Sequence, residues 1–213
     1  MIIYNPLDGL PLPANVQSQV KHCFLMTRLG NPVPPMVKDI RRAVNECCDL
    51  YDYSVIDARA RVTGRDFLLK IWKLIASAPL SVGILHEDIP ESTQANIFYE
   101  IGVAQALGKE TVIIKSPRSK MPSDFVRSEY IEFDENFKEQ FEAFLSSIFE
   151  QADYYELLAD QLEKNPILAL DYLRRAYLIK GDKTLINKAT RIVDGAGLEE
   201  RAANSVELLA ASF

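Results

Sequence analysis

The feature that most constrains the fold is a regular alternation of short apolar runs with longer stretches of helical periodicity. The apolar runs predict strands at residues 23–26, 53–57, 81–85, 111–114 and 130–133. Helical spacing predicts helices at about 34–48 and 64–77, and a third one that contains Glu100 and stops at Gly108. Strands that alternate with helices form right-handed βαβ units. We therefore predict an α/β fold with a flavodoxin-like, doubly wound, mostly parallel five-stranded sheet in the order 2-1-3-4-5.

The segments on either side of this alternating region differ from it in character. Pro6, Pro11 and Pro13 indicate an irregular N-terminal arm over residues 1–21. The α/β domain is predicted to span residues 22–150, and residues 151–213 have the pattern of a helical appendage. Dimerisation or partner docking and simple capping of the domain are equally compatible with this appendage.

The composition is that of an ordinary globular protein, and it restricts the classes of function. A net charge of -6 over 213 residues provides no general attraction to nucleic acid or to an anionic membrane. Three cysteines and two histidines argue against a disulfide framework and against a metal site. We therefore expect no metal or other cofactor, no membrane segment, no secretion signal and a cytoplasmic location.

Candidate binding residues follow from the order of the strands. In open parallel sheets, ligands bind at the carboxyl ends of the strands, which here are residues 26–30, 57–65, 86–96 and 115–121. Arg59, Arg61 and Arg65 follow the second strand, and Thr27 with Arg28 follows the first. Guanidinium groups and helix N-termini bind phosphate well, so these side chains are candidate phosphate ligands. A solvated basic loop is the alternative for each arginine after the second strand.

Glu100 is the strongest candidate for a chemical role. On a helical wheel at ~100° per residue, Ile97, Val103, Ala104 and Leu107 fall within about 60° of Glu100, which places its carboxylate amid an apolar face. Burying an unpartnered carboxylate costs several kcal/mol, so the group must be paired, protonated or facing a cavity. We expect Glu100 in the first turn of its helix, at the ligand crevice, where a general base or nucleophile has a tuned pKa. The alternative is an acidic residue that only favours the helix macrodipole.

The segment around Glu100 resembles the signature of a known superfamily. Residues 96–109 read Asn-Ile-Phe-Tyr-Glu-Ile-Gly-Val-Ala-Gln-Ala-Leu-Gly-Lys and precede the strand at 111–114. This is similar to the nucleoside 2-deoxyribosyltransferase-like superfamily, especially to its branch related to bacterial TIR-like domains. The Asn-x-Phe-Tyr-Glu-x-Gly core is the most specific part. The helix at 66–78 and the strand at 81–85 fit the same order, so the resemblance covers residues 22–148.

This resemblance implies chemistry on an N-glycosidic bond. Glu100, by its position in the motif, would attack or stabilise the anomeric carbon as the base departs, because a carboxylate stabilises an oxocarbenium-like state. TIR-like relatives apply similar chemistry to NAD, often in bacterial defence against phage. Transferase members usually carry an aspartate at the end of the third strand, where this chain has Leu85-His86. Glu87 or Asp88 would have to substitute for it, which makes hydrolysis or binding alone the better expectation.

Four more side chains have both a functional and a structural interpretation. Asn96 either caps its helix or hydrogen-bonds a ribose hydroxyl. Tyr99 either flanks a base or lies at the surface or at an interface. His86 ends the third strand and is a candidate for assisting proton transfer, although a lone histidine is weak evidence. Trp72 is interpreted as a core residue rather than a stacking platform.

The preferred hypothesis is an enzyme that cleaves the N-glycosidic bond of NAD or of a nucleoside monophosphate, with Glu100 as nucleophile or electrostatic stabiliser. One rival is a non-catalytic module that senses a nucleotide and signals through its helical tail. Another is a self-associating interaction domain with a vestigial pocket. We expect a nucleotide or NAD-type ligand, a homo-oligomer or a partner of the helical tail, and neither nucleic acid nor membrane as a partner.

Overall fold

A five-stranded parallel sheet forms the centre of the α/β fold in this computed structural model, which describes residues 16–58, 67–125, 130–162 and 164–195. The strands are His22–Met26 (β1), Ser54–Ile56 (β2), Leu80–Leu85 (β3), Glu110–Lys115 (β4) and Tyr130–Glu132 (β5). They pair in parallel in the order β2-β1-β3-β4-β5. The predicted flavodoxin-like order is therefore confirmed, and every strand end lies within one residue of its predicted position.

Helices connect the strands and continue beyond the sheet. They are Pro35–Leu50 (α1), Phe67–Ser77 (α2), Glu91–Ala106 (α3), Phe137–Gln161 (α4), Pro166–Lys180 (α5) and Thr184–Gly195 (α6). Proline in the first turn of α1 leaves no intrahelical hydrogen bond unmade, since the first N–H groups of a helix have no partner within it. Gly108 adopts φ 65° just after α3, a left-handed conformation that glycine tolerates and that ends this helix as predicted. Residues 64–66, the predicted start of the second helix, lie outside the described residues.

Helices α2 and α3 cover one face of the sheet. Phe24 and Met26 of β1 and Leu85 of β3 belong to one buried apolar cluster with residues of both helices. Ile97 and Ile101 of α3 approach β3 so closely that a Cβ atom on Gly83 would lie 3.2 Å from their side chains. Because α3 follows β3 and returns to the start of β4, it runs antiparallel to the strands, and its first turn lies at their carboxyl ends.

The opposite face of the sheet is covered by α1, which contacts β2 and β3. The buried residues of α1 recur at helical spacing, and the first part of α4 contributes the buried Phe141 and Leu145. The Tyr51 hydroxyl, at the end of α1, donates to the Glu142 carbonyl at 3.2 Å and lies 3.0 Å from Ser146 Oγ. Residues 22–146 form one compact unit.

A second compact unit consists of residues 16–21 and 147–195. Asn165 caps α5 by accepting a hydrogen bond from the Leu168 N–H at 3.2 Å, and Gly181 ends that helix with φ 71°. α5 packs against α6. Within the described ranges, no helix is both long and apolar enough to cross a membrane. Dimerisation or partner docking by these helices stays a prediction.

Candidate functional site

Glu100 lies deeper along its helix than the sequence predicted. Helix α3 begins at Glu91, so Glu100 is its tenth residue and lies in the third turn, about 14 Å from the helix start at a rise of 1.5 Å per residue. The prediction of a first-turn position was wrong, because the polar segment 91–95 is helix and not loop. Pro90 with φ -52° fixes the entry of the chain, and Glu91 favours the positive end of the helix dipole.

The apolar surroundings predicted for Glu100 are confirmed. Ile97 and Ala104, one turn away on either side, are buried, and Val103 and Leu107 pack against the same cluster. The Glu100 side chain is itself only partly accessible to solvent. Since macrodipole effects fall off within the first turn of a helix, favouring the dipole does not explain an acidic residue in the third turn.

The carboxyl group of Glu100 has neither a hydrogen bond nor an ion pair with any residue that the structure describes. Burial raises its pKa from 4.5 to about 7, because the charged form loses hydration and gains no opposite charge from the described residues. Near neutral pH the group is therefore present in both protonation states. A proton acceptor and a proton donor are therefore both available at this position near neutral pH.

Tyr99 and Asn96 lie on the same flank of α3. The Tyr99 ring is 47% exposed, and its centroid lies 6.4 Å from that of Trp72 in α2. Trp72 is only partly buried, so its interpretation as a core residue holds in part. Its Nε1 atom is buried and has no hydrogen-bond partner among the described residues. Asn96 is exposed within α3, so the prediction that it caps the helix was wrong for the same reason as the first-turn position of Glu100.

Thr27 and His86 follow β1 and β3, the two strands between which the chain order reverses. Met26 pairs with Gly83, so Thr27 lies level with Ile84, and His86 lies about 7 Å further along its strand at a rise of 3.3 Å per residue. Both side chains are buried, and Thr27 Oγ1 has no partner within the described ranges. Arg28 Nε donates to the Gly30 carbonyl at 3.1 Å. These residues therefore lie at the crevice that the sheet topology predicts.

His86 has a defined tautomer in this loop. Its Nδ1 accepts the Asp88 backbone N–H at 3.0 Å, so in the neutral ring the proton is on Nε2. Gln94 closes the same loop by donating from its side-chain amide to the Ile89 carbonyl at 2.7 Å. The imidazole is thereby fixed by its own loop, and no hydrogen bond between described residues connects it to Glu100.

Sequence reasoning missed a polar cluster at the ends of β3 and β4. Ser116 Oγ donates to Glu87 Oε2 at 2.5 Å, and the Ser119 hydroxyl lies 2.7 Å from Ser116 Oγ. Arg118 Nη2 lies 2.8 Å from Glu87 Oε1. The pKa of Glu87 lies below its usual range. The largest cause is the hydrogen bond from Ser116, followed by one from the Glu87 backbone N–H, and the nearby His86 and Arg118 act in the same direction. The spacing Ser-x-Arg-Ser directly after a strand was the available signal.

The cluster contains Glu87, one of the two residues considered as replacements for the aspartate that is missing from the end of β3. Both carboxylate oxygens of Glu87 are engaged, one by Ser116 and the other by Arg118. The Asp88 side chain is 71% exposed. Substitution of Glu87 or Asp88 for the aspartate that transferases of the resembled superfamily usually carry stays a prediction.

The remaining predicted ligands lie after β2. Arg59, Arg61 and Arg65 lie outside the described residues. Asp57, directly after β2, forms an ion pair with Arg41 of α1 at 2.5 Å. In the part of the chain that the structure describes, no group of three or more His, Cys, Asp or Glu side chains is arranged to hold a metal ion.

Comparisons with known proteins gave a structural similarity and no match at the level of sequence. No protein-family model and no curated protein matches the sequence. Among solved structures, the chain is similar to a 2-deoxyribosyltransferase from the psychrotolerant bacterium Bacillus psychrosaccharolyticus, with a TM-score of 0.42 and 14% identity over 57% of this chain and 90% of that one. The fold assignment rests on the strand order and connections of this chain's own sheet.

Proposed function

We propose that this protein cleaves the N-glycosidic bond of a nucleotide or nucleoside, with Glu100 as the nucleophile or electrostatic stabiliser. The observation that carries the proposal is a partly buried carboxyl group, without a partner among the described residues, in the middle of an otherwise apolar helix flank. A carboxyl group in this position costs stability, and a purely structural role offers no compensation for it. The resemblance of residues 96–102 to the Asn-x-Phe-Tyr-Glu-x-Gly motif supports the same role.

The chemistry requires the ionised form of Glu100. The carboxylate attacks or stabilises C1′ of the sugar, and the base leaves with the electron pair of the C1′–N bond. The base of a nucleoside monophosphate takes up a proton as it leaves, whereas nicotinamide, which is cationic in NAD, leaves as a neutral molecule without one. Water then attacks C1′, loses a proton to solvent and regenerates the free carboxylate. With a pKa of about 7, Glu100 is ionised in about half of the molecules at neutral pH, so base release should rise with pH through about 7.

The proposed substrates are NAD and nucleoside monophosphates, each of which carries phosphate beside the ribose. Thr27 and Arg28 after β1 are the proposed phosphate ligands in the described part of the chain, with Arg59, Arg61 and Arg65 as further proposed ligands. Hydrolysis is favoured over transfer to a second base, because Glu87 is held by Ser116 and Arg118 and is not free to handle an incoming base.

A direct assay tests this proposal. The purified protein is incubated with NAD, nucleoside monophosphates and nucleosides, and free base is measured by chromatography. We expect base release from at least one phosphate-bearing substrate, and its loss in Glu100→Gln. Glu91→Gln, an exposed carboxylate on the same helix, is the matched control and should retain the activity. Undiminished release by Glu100→Gln would remove Glu100 from the mechanism.

A second candidate function is nucleotide sensing without turnover. The helical unit of residues 16–21 and 147–195 favours it, because this unit is compact by itself and all the predicted site residues belong to the other unit. Either function would fit a cytoplasmic homo-oligomer in bacterial defence against phage, the setting that the TIR-like resemblance implies. Saturable nucleotide binding without base release, in assembled as well as monomeric protein, would favour the sensor.

A further inference from the structure

Trp72 has a buried hydrogen-bond donor. It is the only tryptophan in the chain, and its Nε1 atom is buried without a hydrogen-bond partner among the described residues. The indole N–H can only donate, and a buried donor without an acceptor costs about 1–3 kcal/mol. Tryptophan in a core normally directs this group to a carbonyl or to water. An acceptor from outside the described residues, such as a bound ligand, would satisfy this donor.

The facing helix carries the complementary group. Helices α2 and α3 pack against each other, and the Trp72 ring lies 6.4 Å from the ring of Tyr99. Glu100 is the next residue of α3 and lies ~100° further round the helix, towards the buried side chains of Ile97 and Ala104. Glu100 therefore lies on the part of α3 between Tyr99, which is next to Trp72, and the buried residues. Neither the Trp72 N–H nor the Glu100 carboxyl group has a partner among the described residues.

We infer that Trp72 and Glu100 form the two sides of one buried site between α2 and α3, and that this site binds the sugar hydroxyl of a nucleoside or nucleotide. A hydroxyl group accepts one hydrogen bond and donates another. It therefore satisfies both groups at once, by accepting from the Trp72 N–H and donating to the Glu100 carboxylate. The inference rests on the proposed function, because it concerns the sugar on which Glu100 would act.

Tyr99 gives the same site an aromatic rim. Tyr99 is 47% exposed and its ring is tilted by 42° against that of Trp72, so much of this residue remains accessible beside the contact between the helices. A planar base attached to a bound sugar can pack on such a ring. A nucleoside therefore matches the site in both of its parts, with the hydroxyl group inside and the planar base at the rim.

Other buried oxygens without described partners do not make a comparable pair. Thr27 Oγ1 and Ser81 Oγ belong to hydroxyl groups, which rotate and both donate and accept. The Trp72 N–H is fixed in the plane of its ring, and the neighbouring Glu100 has no described partner either. This combination of a fixed donor with an unpaired carboxyl group distinguishes the α2–α3 site.

Calorimetric titration tests the inference. AMP, adenosine and adenine are titrated into Glu100→Gln, which retains an acceptor oxygen and prevents turnover, and into the double variant Glu100→Gln, Trp72→Phe. We expect loss of the N–H to weaken AMP and adenosine binding about 5- to 10-fold, as removal of one hydrogen bond predicts, and to leave adenine binding unchanged. An equal effect on adenine would show that the ring and not the N–H matters, and would overturn the assignment, as would unchanged AMP binding.

Fluorescence provides a second readout that does not require substrate. Since Trp72 is the only tryptophan, selectively excited emission reports on this one side chain. Ionisation of a neighbouring Glu100 should change the emission of the wild-type protein with a midpoint near pH 7, and the change should be absent from Glu100→Gln. The same pH dependence in both proteins would show that the two side chains do not share a site.

These outcomes separate the inference from the proposed function. Base release that depends on Glu100 and has an unchanged KM in Trp72→Phe would keep the enzyme and reject the Trp72 site. Nucleoside binding that depends on Trp72, without base release, would keep the site and reject the enzyme. Absence of binding of AMP and adenosine to Glu100→Gln would reject the site.

Discussion

Replacing Glu100 by glutamine should stabilise the folded protein at alkaline pH and have little effect at acidic pH. Burial raises the pKa of Glu100 from 4.5 to about 7, and no described residue compensates its charge. At 1.36 kcal/mol per pKa unit, the ionised side chain therefore costs the native state about 3 kcal/mol. Residual solvent contact at this partly buried side chain reduces the cost towards about 2 kcal/mol.

The sign follows from the proton balance of folding. Below pH 4.5 the group is protonated in both the folded and the unfolded chain, and the wild type bears no cost. Between pH 4.5 and about 7 the folded state holds a proton that the unfolded state has lost, so stability falls as pH rises. Above pH 7 the full cost applies to the wild type only, because glutamine does not titrate.

Urea unfolding at pH 4.5, 6 and 8 measures this difference. We expect the free energy of unfolding of Glu100→Gln to exceed that of the wild type by about 2–3 kcal/mol at pH 8, with most of the excess gone at pH 4.5. Glu91→Gln, exposed on the same helix, should show no such pH-dependent gain. A constant difference between pH 4.5 and 8, or a less stable Glu100→Gln at pH 8, would mean that the native carboxylate has a compensating partner and would refute the reasoning.

Three further substitutions test separate parts of the fold. Gly83→Ala should lower the free energy of unfolding by about 1–2 kcal/mol, because the added Cβ atom would lie 3.2 Å from the Ile101 side chain. A variant as stable as the wild type would contradict this close packing. Ser116→Ala should cost about 1 kcal/mol at pH 7, and the loss should shrink as acid protonates its partner Glu87, whose pKa the Ser116 hydrogen bond lowers. A loss that does not change as the pH falls to the acid limit of folding would refute the assignment. Asn165→Ala should remove the cap of α5 and cost about 1 kcal/mol in thermal or urea unfolding, whereas Asn165→Asp should retain the stability.

The sheet could be predicted from the sequence because its signals are local and strong. Buried parallel strands are continuous apolar runs, and the segments around Leu25, Val82 and Val112 have no competing interpretation. The strand order then follows from the handedness of βαβ units. The burial of Glu100 was predictable for a similar reason, since helical periodicity assigns its face without knowledge of tertiary contacts.

The start of α3 and the polar clusters could not be predicted in the same way. Residues 91–95, with their Glu, Ser and Thr, have side chains that compete for backbone hydrogen bonds, so their sequence resembles a loop until Pro90 and the sheet fix the helix entry. The contact of Ser116 with Glu87 joins residues 29 positions apart. The unpaired Trp72 N–H depends on side-chain packing between two helices. No periodic pattern in a single segment reports such contacts.

The chain enters the α/β unit from the helical unit and returns to the helical unit after it. Residues 16–21 belong to the helical unit, the chain passes through the whole sheet from His22 to Ser146, and it then re-enters the helical unit at Ser147. The Lys21 N–H donates to the Leu178 carbonyl at 2.8 Å, which fixes the arm to the C-terminal helices. The α/β unit is therefore joined covalently to the helical unit at both of its ends. A change in the helical unit can act on it through two covalent links, one at the start of β1 and one within α4.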